Sequence, residues 1–201
     1  MKWERALHHL EDLAWKCAEL DSRPSSIHPL RARQLWAFGD ILGEPRDLET
    51  IAVAVAVDLP TGEVPWLSEP PGSQQWANAT RLAKNPIRAW WRSASAPVWN
   101  HRIDRPALVW DVESGVAEKT LAALKDGNSD SVRAPAPTAD ELQARLDDEC
   151  AVSLRALRDR TRTYGDRRWS PGKIENLADP LWHATEGYLE ILDARGGVGH
   201  G

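Results

Sequence analysis

Phenylalanine is almost missing from this chain, with one copy against eleven tryptophans in 201 residues. Cysteine is nearly as scarce. Cys17 and Cys150 are the only two, and no Cys-x-x-Cys spacing exists to build a redox or zinc site. Both are expected as reduced, buried thiols. An excess of positive charge is also lacking. Lys and Arg total 25 against 30 Asp and Glu, a formal net charge of −5. That excludes the net field which draws a protein to bulk nucleic acid, although a local basic face remains open. Long apolar runs are absent too. AVAVAV is far too short to span a bilayer as a helix. The amphipathic stretch MKWERALHHLEDLAWKCAEL has no uninterrupted apolar core of the signal-peptide kind. A cytoplasmic protein without a membrane partner is the resulting expectation. Neither a Gly-x-Ser-x-Gly elbow nor a Walker-type phosphate loop is found.

What is present is a soluble, globular composition, 42% hydrophobic and 27% charged. Seven of the tryptophans fall between Trp36 and Trp110. Tryptophan buries a large apolar body and carries one donor that needs a partner. A tryptophan-rich core explains them, and a stacking surface for a base or sugar is the alternative.

Periodicity orders the chain. Trp3, Leu7, Leu10, Ala14 and Cys17 recur at helical spacing and predict a first helix over 2–20. DSRPSS, 21–26, ends it. A strand is expected over 33–38, followed by a turn between Gly39 and Gly43. In TIAVAVAVDLP the isoleucine and valines share one parity and the alanines the other. This predicts a strand with large side chains towards one layer and small ones under a close-packed helix. Helices are expected over 73–84 and from Pro86 to about Ser95, a third strand over 106–111, and a helix over 116–124. DGNSDSVRAPAP reads either as a linker between domains or as a surface loop, the latter favoured. Thr138 and Glu141 then form a capping box for a helix carrying Leu142, Leu146, Cys150, Leu154 and Leu157. A last helical stripe holds Ile174, Leu177, Leu181, Ala184, Tyr188 and Ile191, with a kink or restart expected at Pro180. The expected organisation is an α/β core over 1–125, a loop over 126–137, a C-terminal helical pair over 138–195 docked on the core, and a frayed tail over 196–201.

Three carboxylates attract attention. Asp47 and Glu49 have one parity at the mouth of the second strand, and Asp111 closes the third. If the sheet gathers them, they supply hard oxygen ligands for Mg2+ or Mn2+ with a triphosphate. Backbone N–H groups of the turn at Gly39 and Gly43 then face phosphate. Ordinary loop and strand-end carboxylates are the competing explanation.

The stretch FGDILGEPRDLETIAVAVAV resembles a nucleotidyltransferase signature. That superfamily has a Gly-Ser turn, an Asp-x-Asp or Asp-x-Glu pair and a third carboxylate on a later strand. Gly39 matches the turn glycine, Asp40 stands where serine is expected, and Gly43 resembles the second loop glycine. Asp47 and Glu49 match the pair, with Asp111 as the third member. The resemblance implies an α+β fold with a small mixed sheet of the nucleotidyltransferase-like type, flanked by helices. It also implies transfer of a nucleoside monophosphate from a nucleoside triphosphate to an unknown acceptor. WANATRLAKNP and APVWNHRI also resemble an uncharacterised family of actinobacterial proteins, to which no reaction is attached.

A cationic stretch completes the candidates. Arg81, Lys84, Arg88, Arg92 and Arg102, interleaved with tryptophans, are placed to meet phosphates while an indole stacks a base. The alternative is a solvated basic face. His101 is the best histidine candidate because its neighbours are polar and basic. Three functional readings follow. One is a metal-dependent nucleotidyltransferase. Another is a catalytically inactive nucleotide-binding or regulatory protein on the same scaffold. The third is a helix-mediated interaction protein, with a homodimer through the C-terminal stripes.

Overall fold

The computed structural model describes residues 1–23 and 30–198. The proline turn expected at Pro24–Ser26 and the last three residues of the tail lie outside this range. A five-stranded mixed sheet forms the centre. Its strands are β1 (Ala32–Phe38), β2 (Ile51–Val57), β3 (Ile87–Ser93), β4 (Ala107–Asp111) and β5 (Gly115–Val116). The order is β3-β2-β1-β4-β5, with β2 and β3 parallel and the other neighbours antiparallel.

The alternation in β2 dictates how this sheet is covered. Ile51, Val53, Val55 and Val57 enter one core with Leu35 and Ala37 of β1. That face is closed by α1 (Trp3–Asp21), α2 (Ser73–Ala79) and α3 (Glu118–Lys125). Leu10, Leu13, Trp76, Leu121 and Leu124 are their buried contributions. Ala54, with Ala52 beside it, enters the second core with Phe38, Trp66, Trp90 and Ile103. Here the cover is a helical hairpin, α4 (Ala139–Arg167) and α5 (Glu175–Val198), through Leu146, Cys150 and Ile191. The small alanine side chains let this layer sit close to the sheet. Gly187 allows another close approach, because a Cβ there would drive into the Trp66 carbonyl. The Thr138–Glu141 capping box opens α4, with Glu141 N–H donating to Thr138 Oγ1 at 3.2 Å.

Three expectations need correction. Residues 87–93 form a strand, not a helix. Ile87, Ala89 and Trp91 serve the first core and Trp90 the second, a period of two hidden because both faces are covered. The helix expected over 73–84 stops at Ala79, and after Arg81 in the left-handed region (φ 60°) only a short 3-10 turn over 82–84 follows. The helix does not restart after Asp179, since α5 runs through Pro180 and on to Val198. As the sixth residue of α5, Pro180 forfeits one backbone bond, to the Asn176 carbonyl, within an otherwise continuous helix. The expected tail at 196 is therefore helical as far as 198.

The 126–137 segment is a strap on the first core. Ser129 Oγ and Arg133 Nη2 both donate to the Leu42 carbonyl at 2.6 Å, and Arg133 bridges to Ala107. Cys17 and Cys150 are free and buried. No helix among the described residues is long and apolar enough to cross a membrane.

Candidate functional site

The strand register decides the fate of the three carboxylates. Phe38 at the end of β1 pairs with Ala52 at the start of β2, whereas Gln34 near the start of β1 pairs with Asp111. Asp111 is thus four residues away along β1, or ~13 Å, before the lateral strand spacing is added. Asp47 and Glu49 lie beyond the other end of the sheet, preceding β2. The expected cluster with Asp111 does not form, because β1 runs antiparallel to both β2 and β4, which sends the start of β2 and the end of β4 to opposite ends of the sheet. Among the described residues no group of three His, Cys, Asp or Glu side chains is placed to hold a metal ion.

Asp111 has a turn to hold instead. Its Oδ1 accepts from Glu113 N–H at 2.8 Å and Ser114 N–H at 3.3 Å, and its Oδ2 accepts from Gln34 Nε2 at 2.9 Å. Burial opposes its ionisation, but these hydrogen bonds and Arg33 outweigh that and hold the carboxyl below its usual range. Asp47 and Glu49 are exposed on either side of buried Leu48. Leu48 exchanges two backbone hydrogen bonds with Met1, at 2.6 and 2.8 Å. Gly39 takes φ +70°, as a turn glycine should, and Asp40 turns outward to Arg46 Nη2 at 2.7 Å. Gly43 donates back to the Asp40 carbonyl at 3.0 Å.

The cationic stretch is divided among three places. Arg81 and Lys84 are exposed around the 3-10 turn. Arg88 lies over the Trp90 ring at 4.7 Å, and it lines a cavity of about 440 Å3 with Arg102, Trp182, His183, Glu186 and Glu190. Arg102 Nη1 and His101 Nε2 both reach Glu190 Oε1, at 3.4 and 3.1 Å. His101 also meets Trp66 edge-on at 5.6 Å. These contacts fasten the loop before β4 to α5. In this cavity the two arginines face three glutamates, Glu69 included.

Arg92 goes elsewhere. It is 2% exposed and donates to Glu149 of α4, itself 7% exposed as a side chain. Glu149 Oε2 also accepts from Asn100 Nδ2 at 3.0 Å, while Asn100 Oδ1 accepts from the N–H groups of Arg102 and Ile103. A second guanidinium closes on the same carboxylate: Arg145 Nε lies 3.0 Å from Glu149 Oε1. Its N–H is poorly aligned on that oxygen and makes no hydrogen bond. Two largely buried arginines therefore share one glutamate. Burial depresses the Arg145 pKa, Arg92 adds to that and Glu149 opposes it.

These residues line a cavity of about 420 Å3 between α4, the end of β3 and the segment before α2. Its other walls include Trp66, Ser93, Ser95, Asp148, Val152 and Arg155. The size is that of a small-molecule site. Three arginines line it against two acids. Three buried N–H groups on its lining residues have no hydrogen-bond partner among the described residues: Trp66 Nε1, Arg92 Nε and Arg145 Nε. All are donors, and all are closed off from solvent behind the cavity surface.

Sequence reasoning missed Arg145 and Glu149 and placed Arg92 on a surface. The available signal was the i, i+4 spacing of Arg145 and Glu149 on a capped helix, next to the helix's buried stripe. No curated protein and no solved structure matches the chain. A family model matches residues 1–197, nearly its whole length, and the chain belongs to that family, described as Domain of unknown function (DUF7711).

Proposed function

We propose that this chain binds a small anionic ligand, a phosphorylated or carboxylated molecule, in the cavity lined by Arg92, Arg145 and Arg155. It then acts as a binding or regulatory protein. One observation carries the reading: two buried guanidiniums share the single carboxylate of Glu149, beside N–H donors that have no acceptor. A phosphate or carboxylate supplies the missing negative charge in a form a guanidinium can hold. Arg155, exposed at the rim, adds a cation that an incoming anion meets early. The cavity with Arg88 and Arg102 is a poorer anion site, since glutamates outnumber its arginines.

Thermal unfolding across a panel of inorganic phosphate, nucleoside mono- and triphosphates, and di- and tricarboxylates tests the reading. A ligand that binds only the folded chain raises stability by about 2.7 kcal/mol at a hundredfold excess over its Kd. A raised midpoint with at least one of these anions is expected. A flat response across the panel overturns the proposal.

Metal-dependent nucleotidyl transfer is a second reading, supported by the two outward carboxylates that flank anchored Leu48. It requires nucleoside triphosphate binding to tighten with Mg2+ or Mn2+. Replacing Asp47 and Glu49 by their amides should then remove that increment. Equal affinity with and without metal removes this reading while leaving the anion pocket standing.

A further inference from the structure

β3 is the last strand of the sheet on its side, so one of its two edges has no neighbour. The ladder with β2 fixes which backbone groups that edge carries. Ile51 N–H donates to the Pro86 carbonyl and Ala94 N–H to the Val57 carbonyl, both at 2.9 Å. Residues 88, 90 and 92 therefore turn their N–H and C=O groups to β2, and Ala89 and Trp91 turn theirs away. Among the described residues no strand, loop or side chain bonds to those outward groups. An unpaired edge of this kind is a template for another strand.

The edge opens into a groove. The cavity of about 440 Å3 is lined by five consecutive residues, Ile87 to Trp91, by Gln74 and Ala77 of α2, and by Trp182 and Glu186 of α5. α2 covers one face of the sheet and α5 the other. A cavity that touches both helices and the outermost strand therefore lies across the free edge of that strand. Ile87 to Trp91 spans ~13 Å, the length of about four extended residues. Alternate side chains of a strand laid there face α2 and α5 in turn. The α2 side offers Ala77 and Leu82, both of the first core. The α5 side offers Trp182, 59% exposed, with Glu186 one turn further on. Three glutamates, Glu69, Glu186 and Glu190, line the groove against Arg88 and Arg102. Glu190 already holds Arg102 and His101, and Arg88 lies on the Trp90 ring. Glu69 and Glu186 have no ion-pair partner among the described residues, so the charge left over is negative.

We infer that this groove takes an extended peptide segment, which joins β3 as an added strand and carries a Lys or Arg side chain on the α5 side. A polypeptide main chain supplies donors and acceptors at the repeat that the Ala89 and Trp91 groups present. The aliphatic stem of the basic residue lies on Trp182 and its cation meets Glu186. The other side takes a small or apolar residue against Ala77 and Leu82.

A displayed library of random linear heptapeptides, screened against the full chain, tests this. Enriched sequences should alternate basic and apolar positions, and synthetic versions should bind at one site in isothermal titration. Ala89→Pro removes an N–H that the sheet does not use, and proline is tolerated on a free edge. The variant should fold, checked by circular dichroism, and bind the peptides about tenfold or more weakly. N-methylation along the peptide leaves the protein untouched and should weaken binding at alternate positions only, the signature of strand pairing. Glu186→Gln should weaken a Lys-bearing peptide but not its norleucine counterpart. A library with no enrichment over the display background overturns the inference. So does equal affinity in folded Ala89→Pro, an N-methyl scan without a period of two, or a Glu186→Gln variant that treats the two peptides alike. A parent dimer that Ala89→Pro dissolves puts another copy's β3 at this edge and overturns it as well.

Discussion

The two faces of the sheet are covered by different kinds of matter. Against the valines of β2, α1, α2 and α3 bring leucines, alanines, Cys17 and Trp76, and the polar side chains buried with these helices, Ser73, Thr80 and Thr120, carry no charge. Burial pushes the Cys17 thiol far above its usual range, which marks how dry this side is. Against the alanines, α4 and α5 bring Leu146, Cys150 and Ile191 to a buried apolar cluster with Phe38, Trp66, Trp90 and Ile103, flanked by Arg92, Glu149 and Asn100, all within 6% exposure. One face is held by area removed from water. The other also depends on a charge balance that the chain alone leaves incomplete. A side that only needs to be stable can do without charge, while two arginines on one carboxylate create a demand that a ligand can meet.

The comparison breaks most visibly at Glu149. Glu149→Gln leaves Arg92 and Arg145 buried without a counter-charge and should destabilise by about 3–5 kcal/mol. On the first face, Leu35→Ala removes a fully buried side chain and should cost about 2–5 kcal/mol by opening a cavity. Both are read by urea unfolding. Phosphate separates them: it should stabilise Leu35→Ala only as much as the parent, leaving that gap unchanged, yet should narrow the gap of the Glu149 variant by supplying the anion it lacks.

Thr138→Ala sharpens the contrast at lower amplitude. It removes the capping box of α4 and should cost about 1 kcal/mol, leaving the first face intact. Smallest is Asp111, at the sheet edge. Its carboxyl is held below the usual range, so its contribution is complete above the unfolded aspartate value and disappears as pH falls through the lower folded value. The stability gap between the parent and Asp111→Asn should therefore be constant at neutral pH and close as pH drops below about 4. A gap that widens in acid would contradict this.

The sequence made some of this legible and concealed the rest for identifiable reasons. The parity of IAVAVAV announced both the strand and its two unlike covers, because side-chain period in a strand is a local property. The capping box and the α1 stripe were local for the same reason. The 87–93 strand was hidden, since Ile87, Trp90 and Trp91 also satisfy helical spacing and Pro86 suits a helix start. A parallel strand covered on both sides shows no polar alternation to correct the error. The Asp111 placement depended on whether β1 and β2 run antiparallel, which no single segment states. Glu149 and Arg92 are 57 positions apart, and only the docking of α4 on the alanine face joins them.

Arg145→Met offers the most direct test. This substitution leaves Arg92 and Glu149 paired one to one, so the free chain should fold with an unfolding midpoint no lower than that of the parent. Isothermal titration with the anion that stabilises the parent should show binding at one site per chain, weakened about tenfold or more in Arg145→Met. Equal affinity in the folded Arg145→Met variant, or a parent that takes up no phosphate, nucleotide or carboxylate at all, would contradict the account.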